Sequence, residues 1–430
     1  MDDRTETRGE SRSLYRWGVL AVLVCVYMLH HLDRMVLTLL QEPIKHEFQL
    51  SDSQLGLISG TAYAVAFGLA GLPLGMLADR TRRVRLLAVL LTVWSGLTAF
   101  AATANSFVTL FLIRIGVGAA ESGGTPTNLS LISDYFHKDR RSTAIGIYLV
   151  GSQVGTLIGF ALTGVIAASY GWRAALLVAG LPGVALALVL LFLVREPPRQ
   201  EAQTVAPLAA FKQIGANPVL LHLIIGLTLA NVVAPGISSW LPSFLIRTHD
   251  LNVGSVGLIM AATIYPLSTT ASIVAGMVTD RIAARRVQLM FRFMAAAAFV
   301  MVPVVLVGVL TGSLWLALAA FATQHVLHMF INTPGYALAM TLVPSHMRGT
   351  TAAVLQVLSN LIGFGVGPMV GGALSDALHP YFGDQSLRYA LAFFVFLSLW
   401  PCAHLLRASV LVRRAKQQAD AGAEPAVQGA

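Results

Sequence analysis

Twelve runs of mostly apolar residues follow one another along this chain, and a chain built that way has few folds open to it. They cover roughly 17–40, 53–78, 85–104, 107–133, 141–168, 172–194, 217–245, 253–279, 287–310, 313–342, 348–375 and 386–411. Crossing a bilayer as a helix takes about 20 residues, and each run suffices. Inside hydrocarbon the backbone must satisfy its own hydrogen bonds, which leaves helices or a closed barrel, and runs of this length are helical. Composition agrees: 56% of the 430 residues are hydrophobic and 11% charged, against about 45–50% and about 25% in soluble domains. The mean hydropathy is +0.72. A soluble multidomain chain and a disordered chain are excluded. So is a disulfide scaffold, since the two cysteines, Cys25 and Cys402, both sit in apolar runs. The expected fold class is an all-α membrane protein with twelve transmembrane helices in two pseudo-symmetric six-helix halves.

The net charge of +9 does not point to nucleic acid, because the basic residues cluster in short groups between the apolar runs. With the N-terminus inside, 23 of the 29 Lys and Arg fall in cytoplasmic tails and loops. Four (Lys45, Arg173, Arg247, Arg388) fall outside and two (Arg34, Arg114) lie within spans. That asymmetry predicts both termini in the cytoplasm, for a multi-pass protein of a bacterial-type inner membrane. The first run follows a charged segment, as a signal peptide would. It is too long for one, carries Asp33-Arg34 and lacks a small-residue cleavage site, so it is expected to stay as the first span. The longest gap, 195–216, opens Arg195-Glu196-Pro197-Pro198-Arg199, and its prolines end the sixth helix. The expected organisation is an N-terminal tail 1–16, a first half 17–194, a linker 195–216, a second half 217–411 and a C-terminal tail 412–430. Within the linker, Val205–Ile214 is either a short amphipathic helix on the membrane surface or plain connection.

The halves repeat each other. Gly75-Met-Leu-Ala-Asp79-Arg80 after span 2 returns as Gly276-Met-Val-Thr-Asp280-Arg281 after span 8. Arg141 and Arg348 open spans 5 and 11, Ser152 and Gly164 match Ser359 and Gly371, and Arg173 and Arg388 each precede the last span of their half. Two six-span repeats in the same orientation are a known transporter plan, with the substrate site near the midplane between them.

Twelve spans, a central linker and Gly-x-x-x-Asp-Arg-x-x-Arg after span 2 resemble the major facilitator superfamily over about 15–411, with Arg82 where that family usually has glycine. Within it the chain is similar to the Spinster-like group of lipid transporters. The residues that carry this likeness are Asp33-Arg34, Arg114…Glu121, Gly171-Trp172-Arg173, Arg195-Glu-Pro-Pro-Arg199 and Trp240-Leu-Pro-Ser-Phe-Leu-Ile-Arg247. The organic-anion/proton symporter group shares the Asp-Arg and the Arg…Glu. Where both groups often have Asn-Tyr before the Asp, this chain has His30-His31. The resemblance implies a latch between the halves at the loop after span 2. That gives Gly75, Asp79, Arg80 and Arg83, with Asp280 and Arg281 in the second half, a gating role.

Charges at membrane depth are costly and usually face a cavity or each other. Four stand out: Asp33, Arg34, Arg114 and Glu121. Neighbouring helix residues point about 100° apart, so Asp33 and Arg34 should take different partners. Arg114 and Glu121 are two turns apart on one face, amid Gly116, Gly118, Gly123 and Gly124, which let other helices come close. Asp33 and Glu121 are expected to carry protons, and Arg34 and Arg114 to meet an anionic substrate. His30 and His31 lie about one turn before Asp33 and are expected to line the cavity. In the second half the polar residues are neutral: Asn231 on span 7, His325, His328 and Asn332 on span 10, Gln356 and Asn360 on span 11. The i, i+3 histidines suit a metal, but no third ligand is near in sequence, so a polar cavity patch with Gln324 is expected instead. The stripe Gly151-x-x-x-Gly155-x-x-x-Gly159 predicts close helix packing.

No Gly-x-Ser-x-Gly, His-Glu-x-x-His or phosphate loop is present, so neither an enzyme nor an ATP-driven pump is expected. The expected activity is proton-coupled secondary transport by alternating access, with no cofactor, metal or nucleic-acid partner, by a monomer in contact with membrane lipids. The cavity is charged on one wall and weakly polar on the other. That suits an amphiphilic anion such as a lysophospholipid or sphingolipid-like molecule; a small organic anion, such as a sugar acid, is the alternative.

Overall fold

A computed structural model describes residues 3–198, 214–283, 287–344 and 347–423. The segment 205–214 anticipated in the linker lies outside the described residues except for Ile214. Every regular element among the described residues is helical. In chain order the helices are α1 (Asp3–Leu39), α2 (Gln41–Phe48), α3 (Asp52–Gly56), α4 (Ala62–Arg80), α5 (Arg83–Phe100), α6 (Phe107–Glu121), α7 (Gly124–Tyr135) and α8 (Lys138–Leu193). They continue as α9 (Pro218–His249), α10 (Val253–Ile259), α11 (Tyr265–Ala283), α12 (Val287–Leu310), α13 (Leu314–Thr341), α14 (Arg348–Leu358), α15 (Gly365–Phe382), α16 (Ser386–Phe394) and α17 (Leu399–Ala423).

Ten stretches of the described residues are long and apolar enough to cross a membrane. Two of them, Asp139–Leu193 with 55 residues and Arg348–Ala415 with 68, are far longer than the roughly 20 a bilayer needs. Each is broken once by a glycine at positive φ: Gly171 (φ 84°) inside α8 and Gly383 (φ 52°) after α15. Only glycine takes such angles readily. Divided there, each of the two yields two lengths that suffice to cross a bilayer.

The repeat is clearer in the backbone than in the sequence. Gln49 and Asp250 both turn left-handed at φ 53°. Ser51 then caps α3, accepting from the Gln54 N–H, and Asn252 caps α10, accepting from the Ser255 N–H. Both helices pass into a π turn, at Leu57–Thr61 and at Met260–Ile264. Arg173 donates to the Ala104 carbonyl at the end of span 3. Arg388 does the same at the end of span 9, reaching the Val309, Leu310 and Thr311 carbonyls. The two matching arginines therefore tie down orphan carbonyls at helix ends.

The described chain packs as two units. One contains the described residues of 1–202 with 239–265, the other those of 203–238 with 266–430. In the first, Gly155 meets α1 so closely that a Cβ there would strike the Met28 backbone, and Gly151 and Gly159 lie against Val24 and Leu32, as the stripe predicts. In the second, Gly363 and Gly367 meet Asn231 and Val232 of α9 in the same manner. Large apolar side chains such as Leu69, Leu72, Phe192 and Trp315 are exposed, as expected where the solvent is lipid.

Candidate functional site

The buried charges of the first unit gather around one residue that the sequence did not single out. Tyr63 lies in the first turn of α4, just past the π turn. Its hydroxyl donates to Glu121 Oε2 at 2.5 Å. The guanidinium carbons of Arg34 and Arg114 lie 5.1 and 5.0 Å from its ring centre, within cation–π range. Tyr63 thus spans the two helical turns that separate Arg114 from Glu121. The approach depends on Gly118 of α6, where any side chain would collide with the Tyr63 backbone.

Asp33 and Arg34 take different partners, as their helical angle requires. Asp33 accepts from the Thr98 hydroxyl of α5 at 2.7 Å. Asp33 and Glu121 are buried, with exposures of 4% and 0%. Asp33 Oδ1 and Glu121 Oε1 have no donor. Arg114, also buried, donates from Nε to the Ile58 carbonyl at 3.4 Å, and its Nη2 has no partner. Ile58 belongs to the π turn, where the regular carbonyl ladder is widened; such turns recur at functional sites.

His30 brings Nε2 to 3.6 Å from Glu121 Oε2 and lies beside the rings of Phe67 and Trp94. His31 turns away, with Nδ1 3.2 Å from the Tyr27 carbonyl. Tyr27 stacks on Tyr148 at 4.3 Å, and Tyr148 accepts from Asn128. The first unit therefore brings together His30, Asp33, Arg34, Arg114 and Glu121, and adds Tyr63 and Thr98.

The polar residues of the second unit bond largely to one another. Asn231 donates to Asn332 at 2.9 Å, and Asn332 Nδ2 lies 2.6 Å from His328 Nε2. His325 joins Ser238 at 3.1 Å and the Phe321 carbonyl at 2.9 Å. Asn360 donates to the Gln356 carbonyl, and the Gln356 side chain is exposed. Gln324 is fully buried with neither amide atom partnered.

In the loop after span 2, Arg83 is buried and paired with Asp134 and Glu196, with Ser130 as a further acceptor. Glu196 also accepts from the backbone N–H groups of Arg83 and Val84, at 2.9 Å each. A residue 113 positions away thus caps α5, whose own N-cap, Arg82, offers no acceptor. Tyr15 and Tyr135 hold the neighbouring backbone at Leu193 and Arg195. Arg80, Asp280 and Arg281 are exposed, and no atom lies within 4 Å of where a Gly75 side chain would begin. The Asp79 side chain lies outside the described ones. Asp134 and Glu196 were missed because their partner is distant in the chain, although the Arg195-Glu-Pro-Pro motif was visible.

The chain is 27% identical to a bacterial homolog of the human lysosomal transporter Spinster, whose crystal structure is inward-facing and unoccupied. It matches that structure with a TM-score of 0.86 over 92% of this chain and 97% of that one. It is 26% identical over 399 residues to an MFS-type efflux pump of Mycolicibacterium smegmatis, covering 91% of each. It is 25% identical over 444 residues to protein spinster homolog 1 of Xenopus tropicalis, covering 94% of this chain and 83% of that one. A probable L-galactonate transporter of Escherichia coli is 24% identical over 378 residues and 82% of each chain. The model of the Major Facilitator Superfamily matches residues 23–368. The chain therefore belongs to that superfamily, as a multi-pass membrane transporter.

Proposed function

We propose that this transporter works by alternating access, couples to protons through Asp33 and Glu121, and carries an amphiphilic organic anion such as a lysophospholipid or sphingolipid-like molecule. The observation that carries the reading is the pair of guanidiniums beside Tyr63, one of them with a buried Nη2 that has no partner. A phosphate or carboxylate head answers that need through charge-assisted, often bidentate hydrogen bonds. Engaging the arginines with substrate weakens their support of the two carboxylates. Each of the two buried acids has an oxygen lacking a donor, where a proton is then taken up. Substrate occupancy and protonation are linked in this way.

The neutral row of the second half, Asn231, His325, His328, Asn332, Gln356 and Asn360, suits the less polar part of the molecule. An acyl tail buries there at roughly 0.8 kcal/mol per methylene. The likeness to Spinster proteins supports a lipid-like substrate. The likeness to a probable L-galactonate transporter supports the second reading, a small organic acid held by the same charges. Thermal-shift titration with lysolipids of increasing chain length and with sugar acids decides between them. Stabilisation that grows with chain length, and that falls in Arg114→Lys, is expected; stabilisation by the acids alone would sink the lipid reading.

Both termini are taken as cytoplasmic, so a cysteine at Gly383 should label from outside. The Asp79-Arg80 and Asp280-Arg281 loops, with Gly75 and Arg83, are taken as the inner latch. Asp79→Asn should then raise the inward-open population in distance measurements across the cytoplasmic ends.

A further inference from the structure

The second unit carries one pair of titratable side chains that stands apart from its polar row. His222, one turn into α9, and His404, on α17, bring their Nδ1 atoms to 2.9 Å. Their ring centres lie 5.0 Å apart, with the planes inclined by 44°. The two residues are 182 positions apart in the chain, so no sequence motif announces them. Both belong to the second packing unit, and both are half-buried. The approach is fixed by Gly226, one turn beyond His222. A Cβ there would stand 3.2 Å from Leu405 and 3.6 Å from the Cβ of His404. Leu223 and Leu405 are fully buried, so α9 and α17 pack tightly at this level.

We infer that His222 and His404 form a two-histidine site for a late first-row divalent ion, Cu²⁺ foremost and then Ni²⁺ or Zn²⁺, which on binding ties the start of span 7 to span 12. The inference concerns the second unit alone and depends neither on the substrate nor on proton coupling.

Two neutral imidazoles that face each other through Nδ1 share a single hydrogen, one ring donating and the other accepting. Among the described residues no other hydrogen bond or ion pair reaches either ring. An acid beside them would favour an extra proton on the pair, but no group of three or more His, Cys, Asp or Glu is gathered among the described residues. A divalent ion in place of the shared hydrogen engages both Nδ1 lone pairs at once. Metal–imidazole bonds are about 2.0–2.1 Å long. Two of them at a right angle set the nitrogens about 2.9 Å apart, and at the tetrahedral angle about 3.3 Å. The observed 2.9 Å is the edge of a square-planar site, the geometry of Cu²⁺ and Ni²⁺, and a separation wider by ~0.4 Å admits Zn²⁺. Imidazole suits these ions, whereas Mg²⁺ seeks oxygen ligands. Water completes the shell, since both rings are part-exposed. The histidines of α13 offer no such pair. His325 is bonded through one nitrogen to Ser238 and through the other to the Phe321 carbonyl, and His328 Nε2 meets Asn332.

The test uses the full chain without a polyhistidine tag, stripped with a chelator and titrated in detergent with Cu²⁺, Ni²⁺, Zn²⁺ and Mg²⁺. The parent should bind one Cu²⁺ per chain, with Ni²⁺ and Zn²⁺ weaker and Mg²⁺ without effect. His222→Gln and His404→Gln keep a polar group across the pair and should each weaken Cu²⁺ binding about tenfold or more. The double variant should bind no more weakly than either, because one imidazole alone is not the site. Exposed His137, 3.0 Å from Asp139, is the rival surface ligand, and His137→Ala should change nothing. Electron paramagnetic resonance of the Cu²⁺-loaded parent, grown with ¹⁵N-histidine, should show two histidine nitrogens on the ion, a reading that needs no variant to fold. Fewer than two nitrogens in the parent, a two-nitrogen spectrum that survives either glutamine substitution, or an affinity that follows His137 would overturn the site.

Discussion

Gly118→Ala is the smallest change that should disable the buried cluster. A methyl carbon built on Gly118 would stand 3.0 Å from both the Cα and the carbonyl carbon of Tyr63, and closer still to its oxygen. Non-bonded carbons rest at about 3.5–4.0 Å, so α4 must retreat by roughly 0.5–1 Å. The obstacle is backbone, which cannot swing aside as a side-chain tip can. The Tyr63 hydroxyl now sits 2.5 Å from Glu121, and a retreat of that size takes it to or beyond the ~3.0 Å limit of a good O–H···O bond. Overpacking costs about 1–3 kcal/mol, and a weakened hydrogen bond about 0.5–1.5 kcal/mol. Since ~1.4 kcal/mol is tenfold, uptake into proteoliposomes under a pH gradient should fall about tenfold or more. The probe is whichever ligand stabilises the parent best, and the thermal midpoint should drop as well. Gly96→Ala, whose new methyl meets nothing within 4 Å, should lose neither. If Gly118→Ala melts and transports like the parent, the fixed spacing of Tyr63 against Glu121 has no part in transport.

Asp33→Asn and Glu121→Gln should each abolish gradient-driven uptake, while counterflow exchange survives in at least one of them. Accumulation by both variants in response to pH would place the coupling elsewhere, with His30, His31 and His325 next in line. Glu196→Ala removes the acceptor of the Arg83 and Val84 N–H groups and should cost about 0.5–2 kcal/mol, as lost helix caps do; an unchanged unfolding midpoint would deny it that role. Glu47 is held below the ordinary carboxyl range by the Trp172 N–H and by Arg173. Its contribution is therefore present above its unfolded value of 4.5 and lost as pH falls through the lower folded value. The melting difference between the parent and Glu47→Gln should exist at neutral pH and shrink on acidification below about 4.5, and a difference that ignores pH would contradict this.

Much of this protein is determined by sequence alone, because the membrane restricts what a chain can do. Apolar length dictates helices, the Lys and Arg pattern predicts their orientation, and buried charges mark positions that packing alone would not tolerate. Asp33, Arg34, Arg114 and Glu121 were legible for that reason: a charge in an apolar run needs no partner to be noticed. Tyr63 and Thr98 were not, since a tyrosine or threonine in an apolar run is ordinary until its hydroxyl is seen to meet an acid. Arg247 read as a residue of the outer loops, because hydropathy does not report what a charge touches. Only the tertiary structure brought Glu42 and Asp52 to it across some 200 residues of chain, turned Arg83 toward Asp134 and Glu196, and bonded Asn231, Asn332 and His328 to one another. Helix formation and membrane insertion depend on local sequence, whereas pairing between helices depends on which faces meet, and that is decided by the packing of all the spans together.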